Sequence, residues 1–360
     1  MKAEIVLGLG YGDEGKGVTV ATLCRVGEEE KCVVRFSGGQ QAGHTVIYNG
    51  VKHIFSNFGA GTFSNIPTYF SEHTTFFPNS IVREVEVLAE KNLRPHLVLH
   101  PLAMVTTPYD VIANRRCAKT IEDGTCGMGV GKTMERNLTP YKLYAVDLLH
   151  LPSFYEKLDA IREEYYKMGL TDYTEDELAL IQKFAISVET FSWKIENYSY
   201  LSRFSKVIFE GSQGILLDMD HGVFPNVTYS NTTSKNAHKI CDILGIRDRE
   251  IYYVTRAYHT RHGNGTFNNK PISLKNTEEE INVKNKWQKE FKTGEMDYDL
   301  LNYSLEIDDI YSSRKITKRY LIVNCLDQLT EGENSFDFAK IKKSFTQIFK
   351  RYSPEVVKHK

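Results

Sequence analysis

Five stretches of this 360-residue chain share one pattern: a short, mostly apolar run that stops at glycine or at a small polar cluster. "EIVLGLG" (4–10), "KCVVRFSGG" (31–39) and "SKVIFEGSQG" (205–214) end in glycines, and "EIYYVTRAYHTRHGNG" (250–265) and "RYLIVNCLDQL" (319–329) repeat the idea. Continuous apolar runs that do not alternate are the mark of strands buried on both faces, as in a parallel sheet. Glycines at their ends mark the carboxyl edge, where α/β proteins present loops to ligands. Between them, "YEKLDAIREEYYKM" (155–168) has Leu158, Ile161 and Tyr165 at helical spacing, and 151–205 is polar and helical in texture. The expected fold is therefore a single α/β domain over residues 1–360, with a largely parallel central sheet flanked by helices. No internal repeat or low-complexity linker interrupts it. The charged stretch 275–295 lacks periodicity and reads equally as a loop over a site or as a solvated excursion.

Composition narrows the function. Apolar residues make up 41% and charged residues 25%, as in ordinary globular enzymes, and the net charge of -1 gives no field for nucleic acid or a membrane surface. No apolar run has membrane length, and the first residues run straight into a glycine-rich loop rather than a leader peptide. Six scattered cysteines without a C-x-x-C pair read as reduced thiols, so a cytoplasmic protein is expected.

The most chemical segment is "GLGYGDEGKG", residues 8–17. Gly10 to Lys16 fits G-x-x-x-x-G-K, in which backbone amides cradle phosphate at a helix N-terminus and the lysine neutralises charge. The usual Ser or Thr that follows, a magnesium ligand, is here Gly17. The metal then needs another oxygen, and a carboxylate inside the loop, Asp13, can supply it. A glycine-rich strand-to-helix turn without ligand is the bland alternative.

Further matches accumulate in order. "GYGDEGKG" resembles the G-D-E-G-K-G loop of adenylosuccinate synthetases. "SGGQQAGHTV" (37–46), "GTCGMGVG" (124–131), "FEGSQGILLDMDHGVFPNVTYSNTTS" (209–234) and "RAYHTRHGNGTF" (256–267) resemble that family's later segments. The resemblance implies a magnesium-dependent ligase of purine biosynthesis, commonly a homodimer. It joins L-aspartate to the 6-position of IMP through a 6-phosphoryl intermediate made from a nucleoside triphosphate.

That chemistry needs a carboxylate between purine and γ-phosphate that takes the N1 proton and touches magnesium, the role implied for Asp13. Glu14 is expected to face its own loop. His44 would offset charge on the leaving phosphate and the 6-oxyanion, and the Gly43 carbonyl would be a second metal ligand. Gln213 would bond the 6-substituent as a neutral amide. Gly12, Glu14, Gly15, Gly17 and Thr45 would complete the phosphate site, and Gln41, Thr125 and Thr228 would contact the purine nucleotide. Asp218, Asp220 and His221 read as a structural turn, and Arg261 as a phosphate or loop contact.

Three departures from the family stand out. The arginine-rich aspartate loop is replaced by "NKWQKEFKTGEMD" (285–297), leaving Lys289 and Lys292 as candidates. In the family's guanine-selecting T-K-x-D the lysine has become Cys325, so Asp327 reads the base alone and ATP or dATP joins GTP as a candidate donor. An arginine that reaches the purine phosphate from a partner chain has Arg136 as its nearest counterpart, with a surface residue as the alternative. A compact viral-type branch of the family uses dGMP, and many of its members carry serine in place of the loop aspartate. Asp13 is retained here, which places IMP ahead of dGMP.

Overall fold

The computed structural model describes residues 1–117, 125–275, 291–329, 336–353, 355 and 356. Fourteen strands are found among them, in chain order β1 Lys2–Gly8, β2 Lys31–Arg35, β3 His44–Tyr48, β4 Val51–Phe55, β5 Thr68–Phe70, β6 Thr75–Phe76, β7 Leu97–Leu99, β8 Met104–Val105, β9 Lys206–Gly214, β10 Asp248–Arg256, β11 His259–His262, β12 Phe291–Gly294, β13 Lys318–Asn324 and β14 Gln347–Lys350. The helices, numbered as they occur among these residues, are α1 Lys16–Arg25, α2 Pro78–Glu90, α3 Pro108–Arg116, α4 Val130–Asn137, α5 Leu151–Lys167, α6 Glu175–Thr190, α7 Lys235–Ile243 and α8 Tyr298–Ser312.

Eight strands form one sheet in the order β14-β13-β10-β1-β9-β2-β5-β7, and every neighbouring pair is parallel. The apolar runs are its inner strands, and alternate residues feed two cores. Val6, Val33, Ile208, Val254 and Ile322 face a core that includes Val20 and Cys24 of α1, Ile81 of α2 and Phe154 of α5. Ile5, Val34, Phe209, Tyr253 and Leu321 face the opposite core, with Ala237 and Ile240 of α7 and Leu301 and Leu305 of α8. Each such side chain contributes roughly 1.5–3 kcal/mol by leaving water, and this two-sided burial suppresses the polar alternation that a half-exposed strand would show.

The helical reading of 151–205 resolves into α5 and α6, with Leu158, Ile161 and Tyr165 buried along one face. Thr174 starts α6 with a reciprocal capping box to Glu177. Residues 276–290 of the charged stretch lie outside the described residues, but its end is β12, paired antiparallel with β11. A hairpin set beside the sheet joins β3 to β4 through Asn49-Gly50, both at positive φ (49° and 77°), the conformation that suits a tight two-residue turn. Among the described residues no helix is long and apolar enough to cross a membrane.

Parallel strands bring all their carboxyl ends to one edge. The loops after β1, β2, β9, β10 and β13 therefore gather there, with β1 at the point where the chain turns from one half of the sheet to the other.

Candidate active site

The first loop leaves β1 at Gly8 and enters α1 at Lys16. Three successive turns of the backbone need positive φ: Gly12 (97°), Asp13 (61°) and Gly15 (92°). The two acids of the loop do different things. Glu14 is buried and turns inward, where its carboxylate accepts from the Gly10 amide at 2.7 Å, the Gly12 amide at 3.0 Å and Lys16 Nζ at 2.8 Å. It thus braces the loop and holds the lysine against it. Asp13 keeps its side chain about one-quarter exposed, with Oδ2 3.3 Å from His262 Nε2, while its carbonyl accepts from Arg256 Nε at 2.5 Å. Burial would raise its pKa, but contact with His262 and the charges of Arg256 and Lys16 outweigh that and hold the carboxyl below its ordinary value.

Packing explains the missing hydroxyl after Lys16. A Cβ on Gly17 would lie 2.8 Å from His44 Cβ, so α1 and β3 approach too closely for Ser or Thr. The partly open Asp13 carboxylate is a hard oxygen donor of the kind magnesium takes. Gly43 lies against β4, where a Cβ would meet Ile54 at 3.2 Å, and Thr45 follows on β3 opposite Ile54.

His44 opens β3 and is buried. Its Nδ1 is 2.5 Å from Glu210 Oε1 and its Nε2 is 3.4 Å from the Ser212 carbonyl. Burial lowers the imidazole pKa; Glu210 opposes this, and Arg35 and Lys16 reinforce it. Burial acts to raise the Glu210 carboxyl, yet His44 and Arg35 bring it below its ordinary value, and its second oxygen accepts from the Ala60 amide at 3.0 Å. A histidine so placed can take up positive charge when an anion arrives, because its partner carboxylate is already fixed.

Nearby, two amides lack partners. Gln41 Nε2 and Oε1 and Gln213 Oε1 are sealed from solvent without a hydrogen bond among the described residues, whereas Gln40 is tied to Thr106, Met128 and Thr75. Unsatisfied buried amides carry a free-energy penalty of about 1–3 kcal/mol each, which a polar ligand removes. A Cβ on Gly38 would come within 3.0 Å of Gln213 Oε1 and closer still to Ser212, so this glycine leaves the turn its room.

The remaining predicted residues are more dispersed. Thr125 Oγ1 accepts from Asn114 at the end of α3, at 3.3 Å, and the Thr228 amide donates to Leu217 O at 2.8 Å. Asp218 is a turn anchor: it accepts from the amides of Asp220, His221, Thr232 and Thr233. Arg261 bonds the carbonyls of Thr266 and Asn226 and lies over the Tyr11 ring. Lys292 on β12 donates to Gly265 O at 3.3 Å, and Asp327 accepts from Gln328 at 2.8 Å just after β13. Lys289 lies outside the described residues.

Arg136 is not a surface residue. On α4 it is buried, with Nε and Nη2 bridging both oxygens of Asp110 at 2.9 and 3.0 Å and further bonds to the carbonyls of Tyr141 and Val105, both at 2.7 Å. It ties α3 to α4.

Sequence reasoning passed over Glu210, Arg256 and Asn324. Glu210 offered a signal, an acid ending the otherwise apolar run of β9. Asn324 offered none, since its Nδ2 bond to the Glu14 carbonyl at 2.5 Å joins residues far apart in the chain.

Comparison with known proteins bears on the fold and the family. A curated adenylosuccinate synthetase from Edwardsiella ictaluri (strain 93-146) is 34% identical over 286 residues, 74% of this chain and 64% of that protein, so the chain spans just under two-thirds of this relative's length. Two solved structures share the fold. The fully ligated adenylosuccinate synthetase of Plasmodium falciparum aligns with a TM-score of 0.72 at 23% identity, covering 92% of this chain and 79% of that one. The succinoaminodeoxyadenylate synthetase of cyanophage S-2L, bound to dGMP and to dATP as an energy donor, aligns at 0.64 and 13% identity, covering 99% and 93%. The adenylosuccinate synthetase family profile matches residues 5–332, from β1 to beyond the end of β13, and with that span of the sheet and its loops accounted for, the chain belongs to the adenylosuccinate synthetase family.

Proposed function

We propose that this protein is a carbon-nitrogen ligase that joins L-aspartate to the 6-position of a 6-oxopurine nucleotide, IMP first, with a nucleoside triphosphate as phosphoryl donor. The observation that carries the reading is the contrast between the two loop acids: Glu14 braces the loop, while Asp13 is left partly open and held ionised beside Lys16 and Arg256. An ionised carboxylate there can accept the purine N1 proton, which turns the 6-oxygen into a nucleophile toward the γ-phosphorus. Lys16 offsets charge on the phosphates. His44, backed by Glu210, stabilises charge on the leaving oxygen. Gln213 and Gln41 gain partners from the purine nucleotide, with Thr125 and Thr228 as further contacts. The aspartate amine then displaces phosphate from C6, its carboxylates facing Lys292 and Lys289. Magnesium, held by Asp13 and the Gly43 carbonyl, would supply charge neutralisation on the triphosphate. The working unit is a homodimer in the cytoplasm.

A second reading, dGMP as acceptor, draws on the cyanophage enzyme, whose fold this chain matches almost end to end. Retention of Asp13 favours IMP. Positional isotope exchange in the triphosphate, with IMP or dGMP and no aspartate, tests both. Exchange with IMP is expected. Exchange with dGMP alone would reverse the acceptor, and the absence of phosphate release with either purine plus aspartate would overturn the ligase reading.

A further inference from the structure

β3 carries His44 but is not a strand of the main sheet; it pairs antiparallel with β4 alone. Tyr48 and Val51 close the two-residue turn of that hairpin, and residues next to a closing pair turn their backbone groups away from the partner strand. The carbonyl of Ile47 therefore points outward, and the segment after β14 meets it there. The Val356 amide donates to Ile47 O at 3.2 Å, and Glu355 pairs with Ile47 as a parallel bridge. The Val356 side chain is 7% exposed and joins the core that also holds Val20 of α1 and Val46 of β3.

The same segment is tied down at its start. The Arg351 amide donates to Val323 O at 2.9 Å and its carbonyl accepts from the Leu326 amide at 3.3 Å, which fixes it to the end of β13. Its Nη2 donates to Thr22 Oγ1 of α1 at 3.1 Å. That hydroxyl can accept because it gives its own proton to Val18 O at 2.7 Å. Within a few residues the chain thus crosses β13, α1 and β3. Residues 351–356 lie beyond the span that the family profile matches, 5–332.

α1 begins with Lys16 and β3 with His44, and the two elements meet where Gly17 packs on His44 and Val46. One point of contact leaves the angle between a helix and a strand free to change. The segment supplies a second point farther out, at Thr22, roughly 7–8 Å along the helix, and at Ile47, roughly 10 Å along the strand. We infer that Arg351 and Val356 are positioning residues that hold β3 at a fixed angle to α1 and so set His44 against the phosphates bound at Lys16. The inference rests on the ligase reading above for what His44 does. Glu14 holds Lys16 from inside its own loop, so triphosphate binding does not depend on this strap. Turnover does, because a displacement of about 1 Å at a reacting centre can cost on the order of 100-fold.

Three variants separate the contacts. Val356→Pro removes the amide donor and keeps an apolar side chain, Val356→Ala keeps the donor and trims the side chain, and Val356→Ile keeps both. Phosphate release with IMP and aspartate gives kcat, calorimetry with the magnesium triphosphate alone gives affinity, and amide hydrogen exchange resolved to single residues reports on β3. In Val356→Pro, kcat should fall about 10- to 100-fold with affinity nearly unchanged, and the amides of residues 45–48 should exchange faster while those of β1 and β9 hold. Val356→Ala should lie between this variant and the wild type, and Val356→Ile close to the wild type. Equal losses of kcat and affinity, or faster exchange in β3 with a normal kcat, would overturn the inference. Should Val356→Pro fail to fold, native-state exchange of the wild type decides: the Val356 amide and those of β3 must open together, and a Val356 amide that opens while β3 stays closed refutes the strap. A wild type that makes no product counts against the ligase reading alone, and the exchange measurements still judge the strap.

Discussion

At the scale of single residues the site separates acids that look alike in the sequence. Asp13→Asn keeps size and polarity but cannot accept a proton. Turnover should fall by roughly 100- to 10,000-fold from loss of the base alone, and isotope exchange should vanish with it; exchange that survives would remove Asp13 from the base role. His44→Asn is expected to lower kcat by at least ~100-fold with a smaller change in nucleotide affinity, because its charge matters most as the phosphate oxygens gain theirs. Glu210→Gln should lower kcat in the same sense, and the double variant should be little worse than His44→Asn, since the two act as a unit. Additive losses would mean that Glu210 works independently of the imidazole. The phosphate loop was legible from its glycine spacing, whereas His44 and Gln213 were nominated through the resemblance of their segments to the family's. Glu210 was not, because its role depends on β9 lying next to β2 and beneath the β3 hairpin, which nothing in the local pattern states.

At the scale of elements, the buried apolar strands were readable from their continuous runs and α5 from its helical spacing, α6 lay in a stretch read only as helical in texture, and two short strands were not read. β12 lies in a charged stretch and exists through its pairing with β11; β14, "QIFK", is exposed along its whole length and is held by β13. Strands of this kind are made by their neighbours rather than by their own residues. Arg136 illustrates the same limit, since an arginine in a polar helix reads as solvated until α3 places Asp110 against it. Arg136→Ala should destabilise the fold by about 3–5 kcal/mol, as expected when one partner of a buried ion pair is removed. Tyr165 and Thr107 would remain on Asp110. Denaturant unfolding measures the loss. A variant of unchanged stability that regains activity when mixed with an inactive Asp13→Asn chain would instead put Arg136 to work across a subunit boundary.

At the scale of the whole molecule, buried histidines set an acid limit. His238 is pushed down to about 3, by burial and then by Arg249 and Lys315, and burial takes His259 down to about 4. Both stay neutral in the folded chain where the unfolded chain protonates near the ordinary value of 6.5. The unfolded state therefore binds more protons below that value, so stability is fully present above about pH 6.5 and is lost as pH falls toward 4. Denaturant midpoints measured from pH 7.5 to 4.5 should decline by an amount that His238→Asn and His259→Asn each reduce; a flat profile would mean that neither group gains a proton on unfolding. The sheet order carries a consequence of another kind, for biosynthesis. β1 and its loop leave the ribosome well before the strands that flank β1, since β9 and β10 end only at residues 214 and 256. At ordinary translation speeds that is a delay of roughly 10–50 s. Throughout it a strand that is buried in the folded chain lacks both neighbours, so the nascent chain exposes an apolar segment to chaperones before its phosphate loop can take shape.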